Sequence, residues 1–149
     1  WATKGEKWKP KPHKKSYQKL KRKLKQLTNR RWSISLDKII KQINYLVRGW
    51  INYFRISNMK TAITKIDEHL RMRIRVIIWK QWKIPKRRTK ALIQIGVKPE
   101  LAKTISYTRK SYQIICKTDW LKFAINIERL IKNYNYSKVI NKHFINKLI

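Results

Sequence analysis

The sequence predicts an all-α protein: a bundle of three long helices followed by a smaller helical C-terminal subdomain. Leu36, Ile40, Ile43, Val47, Trp50 and Phe54 recur at three- and four-residue steps, the spacing of one stripe on an α-helix. Ile63, Ile66, Leu70, Ile74 and Ile77 repeat the pattern further on. The segments between such stripes are short, as antiparallel helical neighbours require.

In chain order, residues 1–15 carry Pro10 and Pro12 without periodicity and read as an extended basic connector. Ser16 is the expected N-cap of a first helix, about Tyr17 to Thr28, with Leu20, Leu24 and Leu27 as its apolar stripe. Asn29 to Trp32 forms a turn. Ser33 or Ser35 then caps the second helix, where Asp37 complements the helix dipole. That helix is expected to reach Ile56 before Ser57-Asn58 breaks it. The third runs from about Thr61 to Lys83. These elements make one unit, 16–84.

Pro85 marks a boundary, and Lys86-Arg87-Arg88 suits a hinge into a second unit, 85–149. Thr89 to Ile95 is a short helix stopped by Gly96. Pro99 opens another, to about Tyr107. Thr108 to Lys117 is the least helical stretch and reads as a short strand or hairpin arm. Asp119 caps a helix whose expected core stripe is Trp120, Phe123, Ala124, Ile127, Leu130, Ile131 and Tyr134. Ser137 begins a final helix.

Charge dominates the composition. There are 39 Lys and Arg against 7 Asp and Glu, a net charge of +32. Such a chain attracts polyanions through counterion release. With 42% hydrophobic residues and seven Trp it is a folded protein, not a basic tail, and nucleic acid is the natural partner. No apolar run is long enough to cross a bilayer, and no secretory signal pattern is present. Cys116 is the lone cysteine, so neither an internal disulfide nor a cysteine zinc site is available. A cytoplasmic or organellar setting is expected, and with Trp1 in place of Met so is a piece of something longer.

The acids are Glu6, Asp37, Asp67, Glu68, Glu100, Asp119 and Glu128, and only Asp67 and Glu68 are close in sequence. Neighbours on a helix point about 100° apart, so Asp67 is better placed to pair with Arg71 at i+4 than to share a metal. His13, His69 and His143 lack ligand spacing and read as surface or capping residues. No phosphate loop or nucleophile elbow is present. The sequence therefore shows no active site and calls for no cofactor.

What remains is a basic and aromatic surface. In the second helix Lys41, Tyr45, Arg48, Asn52 and Arg55 lie opposite the core stripe, where phosphate contact is expected of Arg48 and Arg55. Gly49 lies on the flank of that face, inside the helix, at a cost of roughly 1 kcal/mol against alanine. A packed helix or a ligand close to the backbone would each account for it. On the first helix Lys21, Arg22 and Lys25 are phosphate candidates. On the third, Arg71, Arg75, Trp79 and Trp82 form a ribbon opposite the isoleucine stripe, with Lys80 beside it. The ribbon is expected to be exposed, its arginines meeting phosphates and its tryptophans stacking on bases. The competing arrangement packs Trp79 and Trp82 under the C-terminal subdomain.

The runs KSYQKLKRKLKQLT, LVRGWINYFRI and HLRMRIRVIIWKQWKIPK resemble the maturase-specific region of group II intron reverse transcriptases, from about Pro12 to Pro85. The resemblance implies a helical thumb that follows a polymerase palm and grips intron RNA and the template-primer duplex, in support of splicing and reverse transcription. RRTKALIQIGVKPELA and TRKSYQI are similar to the basic C-terminal region of shorter members, which implies DNA contact through Arg87, Arg88, Arg109 and Lys110. Ser111 and Gln113 stand where the family pattern has glycine and tryptophan. Neither the Tyr-Ala-Asp-Asp type polymerase motif nor the endonuclease module occurs in this chain. The family is one of RNA-directed DNA polymerases, so two alternatives stay open. One is a subunit or fragment of an active enzyme whose palm lies elsewhere; the other is a basic nucleic-acid-associated structural protein.

Overall fold

In a computed structural model that describes residues 10–29 and 34–134, the chain forms eight helices and no strand among the described residues. Three long ones come first: α1 (Lys14–Leu27), α2 (Leu36–Tyr53) and α3 (Lys60–Gln81). Five short ones follow: α4 (Pro85–Gln94), α5 (Pro99–Ser106), α6 (Tyr112–Lys117), α7 (Asp119–Ala124) and α8 (Ile127–Tyr134). The fold is all-α, as the periodicity requires. The expected helix from Ser137, the cap at Ser33, most of the 29–32 turn and His143 lie outside the described residues.

Each stripe of the long helices meets its neighbour. Leu20 and Leu24 of α1, Ile39, Ile40, Ile43, Val47 and Ile51 of α2, and Ile63, Ile66, Leu70 and Ile74 of α3 are buried in one core. α1 packs on both α2 and α3. Trp50 and Phe54 are half-buried at the edge of this core, rings 4.9 Å apart. The Trp50 indole N–H donates to Ser16 Oγ at 3.3 Å, which ties α2 to the start of α1. Ser16 is therefore not the N-cap of α1. His13 is, its Nδ1 accepting from Lys15 N at 3.2 Å.

α3 departs from the expected pattern. Val76, Ile77, Ile78 and Trp79 are buried in succession, so this part of the helix is covered on all sides. A helix buried all round belongs to a core between layers. The second layer is the short helices: α6 packs on α3, α8 on α2, and α4 pairs with α5. The ribbon expected to face solvent is largely covered. Trp79 is 1% exposed and Arg75 is buried; Trp82 is half-buried with its ring 6.2 Å from that of Trp79.

Three further expectations need correction. Lys86-Arg87-Arg88 is no loop but the first turn of α4, with Pro85 at its start, where a missing N–H costs nothing. The 112–117 segment is helical because Ser111 caps it, its Oγ accepting from Ile114 N at 3.5 Å. The single helix expected from Asp119 is two, broken at Ile125-Asn126. Asn126 Oδ1 accepts from Arg129 N at 2.9 Å and restarts the helix. The break rotates the inward face to Leu121, Ala124, Ile125 and Leu130, and leaves Trp120 and Phe123 62% and 65% exposed. Gly96 does end α4 as expected. Its φ of +92° is a left-handed value that glycine adopts freely, and Val97 N donates to Leu92 O at 3.0 Å.

Arginines join the layers. Arg73 donates from Nη2 to Thr28 O at 2.9 Å and Lys25 O at 3.2 Å, and from Nε to Thr28 Oγ1, closing the end of α1. Arg75 Nε donates to Ile125 O at 2.9 Å. Arg129 donates from Nη1 to Phe123 O and Ala124 O at 3.2 and 2.8 Å, and from Nη2 to Gly96 O at 2.9 Å. Arg88 Nε donates to Trp82 O at 2.8 Å, with its guanidinium 4.7 Å from the Trp79 ring centroid. All four satisfy carbonyls at helix ends, which carry partial negative charge.

Replacing Arg73 by Ala leaves part-buried acceptors at the end of α1 unsatisfied, a loss of about 1–3 kcal/mol. Arg73→Lys restores only part of it, because an ammonium cannot reproduce the planar fork. Chemical denaturation of the three proteins checks the order. A lysine variant as stable as the parent would contradict it.

His69 sits between α1 and α3, where burial first, and then the charges of Arg73, Lys21 and Lys25, hold its pKa below the usual value. With the folded value depressed, the unfolded chain takes up the proton first as pH falls below about 6.5. Stability is thus full above that pH and declines beneath it. His69→Gln should show a smaller drop in Tm than the parent between about pH 7.5 and 5.5; an equal or larger drop would refute the assignment.

Candidate nucleic-acid interface

α1 presents Lys14, Lys15, Lys19, Lys21, Arg22, Lys23 and Lys25 to solvent, all exposed and with no acid in the helix. The reason is local. Only Leu20 and Leu24 are fully buried in this helix, so its remaining surface is free to carry cations. These side chains present charge on flexible stems, the form in which a protein grips phosphates without reading bases.

The polar face of α2 continues that surface. Lys41, Tyr45, Arg48, Asn52 and Arg55 are exposed, as their place opposite the core stripe requires. Between α1 and α2 lie two adjoining hollows of about 500 and 710 Å³ that share Lys23, Tyr45 and Leu46 as walls. Lys19 and Arg48 line the first, Lys41 the second, and no acidic residue lines either.

The sequence-derived candidates fall into two groups. Lys21, Arg22, Lys25, Arg48, Asn52 and Arg55 are exposed on α1 and around the end of α2; Lys21 and Lys25 lie toward His69 of α3, whereas Arg48 and Asn52 share a hollow with Lys19 and Lys23. Arg87, Arg109 and Lys110 are exposed too, but on the short-helix layer. The other candidates turn inward or are held by neighbours. Arg71 is half-buried and pairs with Asp67 at 2.8 Å, the i+4 pairing expected from the sequence. Arg75 and Trp79 are buried, Lys80 and Trp82 half-buried, and Arg88 is held over Trp79. Trp79 therefore offers no face for base stacking in this fold. Lys19 and Lys23 were missed as individual positions. Their signal is the i, i+4 spacing that places them on one edge of α1, facing the polar side of α2.

Cys116 is buried, and burial pushes its thiol up to about 12, so it stays protonated and unreactive at neutral pH. Among the described residues no three His, Cys, Asp or Glu side chains gather as a metal site, and no helix is long and apolar enough to cross a membrane. Asp119 pairs with Lys122 at 3.0 Å within its own helix.

No curated protein matches the chain in sequence. A family model, that of the group II intron maturase-specific domain, matches residues 17–94, more than half of the chain. That span takes in α2, α3 and α4, with all but the first turn of α1. The cationic face of α1 and the RGWINYF segment of α2 therefore lie inside it. On this match the chain belongs to the group II intron maturase-specific domain family, with a maturase-related role in splicing and intron RNA as its partner.

Proposed function

We propose that the chain grips group II intron RNA by its phosphates, through the exposed cations of α1 and the polar face of α2. The observation that carries this is the unbalanced helix. α1 shows seven exposed Lys and Arg side chains with no acid on the same helix, and the adjoining hollows add Lys41 and Arg48, again without an acid. Such a surface repels itself unless a polyanion lies against it. The share of this chain is to position RNA, and any polymerase palm that works with it supplies the chemistry of reverse transcription. Contact with the template-primer duplex through the same face, and with a DNA target through Arg87, Arg109 and Lys110, belongs to the same proposal.

If roughly six to ten phosphates are neutralised, log affinity for duplex RNA should fall against log salt with a slope of about −5 to −9. Lys21→Gln with Lys25→Gln should weaken binding to all RNA sequences alike and flatten that slope by about 2. Both are surface positions, so stability should stay within about 0.5 kcal/mol of the parent. A parental slope near −2, or a double variant with unchanged slope, would defeat the phosphate-gripping account.

A further inference from the structure

Gly49 sits on the surface shared by α1 and α2. A glycine inside a helix calls for a turn, a close neighbour or a bound molecule. Gly49 lies within α2, and the one positive φ at a described glycine belongs to Gly96. A Cβ built at Gly49 meets no atom of the described residues within 4 Å. Among the described residues, then, no packed helix accounts for the glycine. What lies over Gly49 is the first of the two hollows between α1 and α2.

Its chemistry is specific. Leu20, Leu46, Tyr45 and Trp50 give it apolar and aromatic walls, and Lys19, Lys23 and Arg48 supply positive charge. Tyr45 is 84% exposed although aromatic, whereas Trp50 is fixed by its bond to Ser16. At about 500 Å³ the hollow falls in the size range of small-molecule sites. Its cations suit phosphates but its apolar walls do not, and a continuous duplex keeps its bases stacked inside. An unpaired base has two apolar faces, stacks well on an aromatic side chain, and carries phosphates on either side.

We propose that the hollow over Gly49 receives one unpaired nucleobase of the bound RNA, stacked against Tyr45, with the flanking phosphates on Lys19 and Lys23. This rests on the phosphate-gripping function and deepens it. The cations of α1 hold the backbone of any RNA, and the hollow selects RNA that can extrude a base. Glycine at position 49 keeps the hollow open.

The test compares an RNA hairpin carrying a single-nucleotide bulge with the same hairpin fully paired. The full chain should bind the bulged form on the order of tenfold more tightly. The fluorescence of 2-aminopurine placed at the bulge should be quenched on binding. Gly49→Leu fills the hollow and Tyr45→Ala removes the stacking face, so each should bring the ratio of affinities close to one. Both variants keep every cation, so the salt slope for the paired hairpin should not change, and the ratio is read against each variant's own affinity for the paired form. Gly49→Leu should also raise Tm by about 2–4 °C, since leucine is the better helix former. Tyr45→Phe should keep the preference. Tyr45 is a surface position, so its variants report even if Gly49→Leu misfolds. Equal binding of both hairpins by the parent, as a hollow made for an acidic peptide would give, overturns the inference and leaves phosphate gripping intact. A preference that survives both variants does the same. Absence of salt-dependent binding to either hairpin overturns both.

Discussion

Helix ends held by arginine are the interaction on which this bundle depends. A chain with 39 cationic and 7 acidic residues cannot balance its interior with ion pairs. It uses the carbonyls that every helix leaves unpaired at its C-terminus, equivalent to about half a negative charge. Arg73 closes α1, Arg88 reaches the end of α3, and Arg75 and Arg129 converge on the end of α7. Because a guanidinium carries five donors in a plane, one side chain can tie two elements. Arg129 does so, joining the end of α7 to the turn after α4. The second layer is thereby fixed onto the first, and α3 becomes a buried central helix.

That arrangement sorts the charge. Arg73, Arg75, Arg88 and Arg129 turn inward and are held by carbonyls. The lysines of α1 and the edge of α2 face outward. The two sets differ in chemistry as well as place: the inward set makes oriented hydrogen bonds, and the outward set is mainly mobile point charge. A protein built this way can carry a large net charge in a compact state, because its inward cations are held by carbonyls and its outward ones stay in water. The span matched by the family model, 17–94, contains nearly all of the outward face.

Much of this was legible in the sequence, and the failures have two causes. The stripes of α2 and α3, the Gly96 stop, the Asp67–Arg71 pair and the exposed polar face of α2 all follow from spacing within one helix. The burial of Arg75 and Trp79 does not, because periodicity reports one apolar face and is silent on a second layer. The signal was the run from Ile74 to Trp79, where Arg75 is the only polar residue. A solvent-facing surface would interrupt such a run more often. Trp120 and Phe123 were misplaced for a different reason: the Asn126 cap splits the helix and shifts its register. Gly49 was legible as a question, and the open space above it is what the proposal of a bound base rests on.

The division of cations into inward and outward sets is tested most directly by residue-resolved chemical footprinting of the chain with and without group II intron RNA. Lysines are acylated and arginines modified with a dicarbonyl reagent. The α1 lysines should react readily in the free protein and become protected by RNA, while Arg73, Arg75, Arg88 and Arg129 stay unreactive in both states. Inward arginines that react freely and are then protected by RNA, with α1 lysines unchanged, would contradict it.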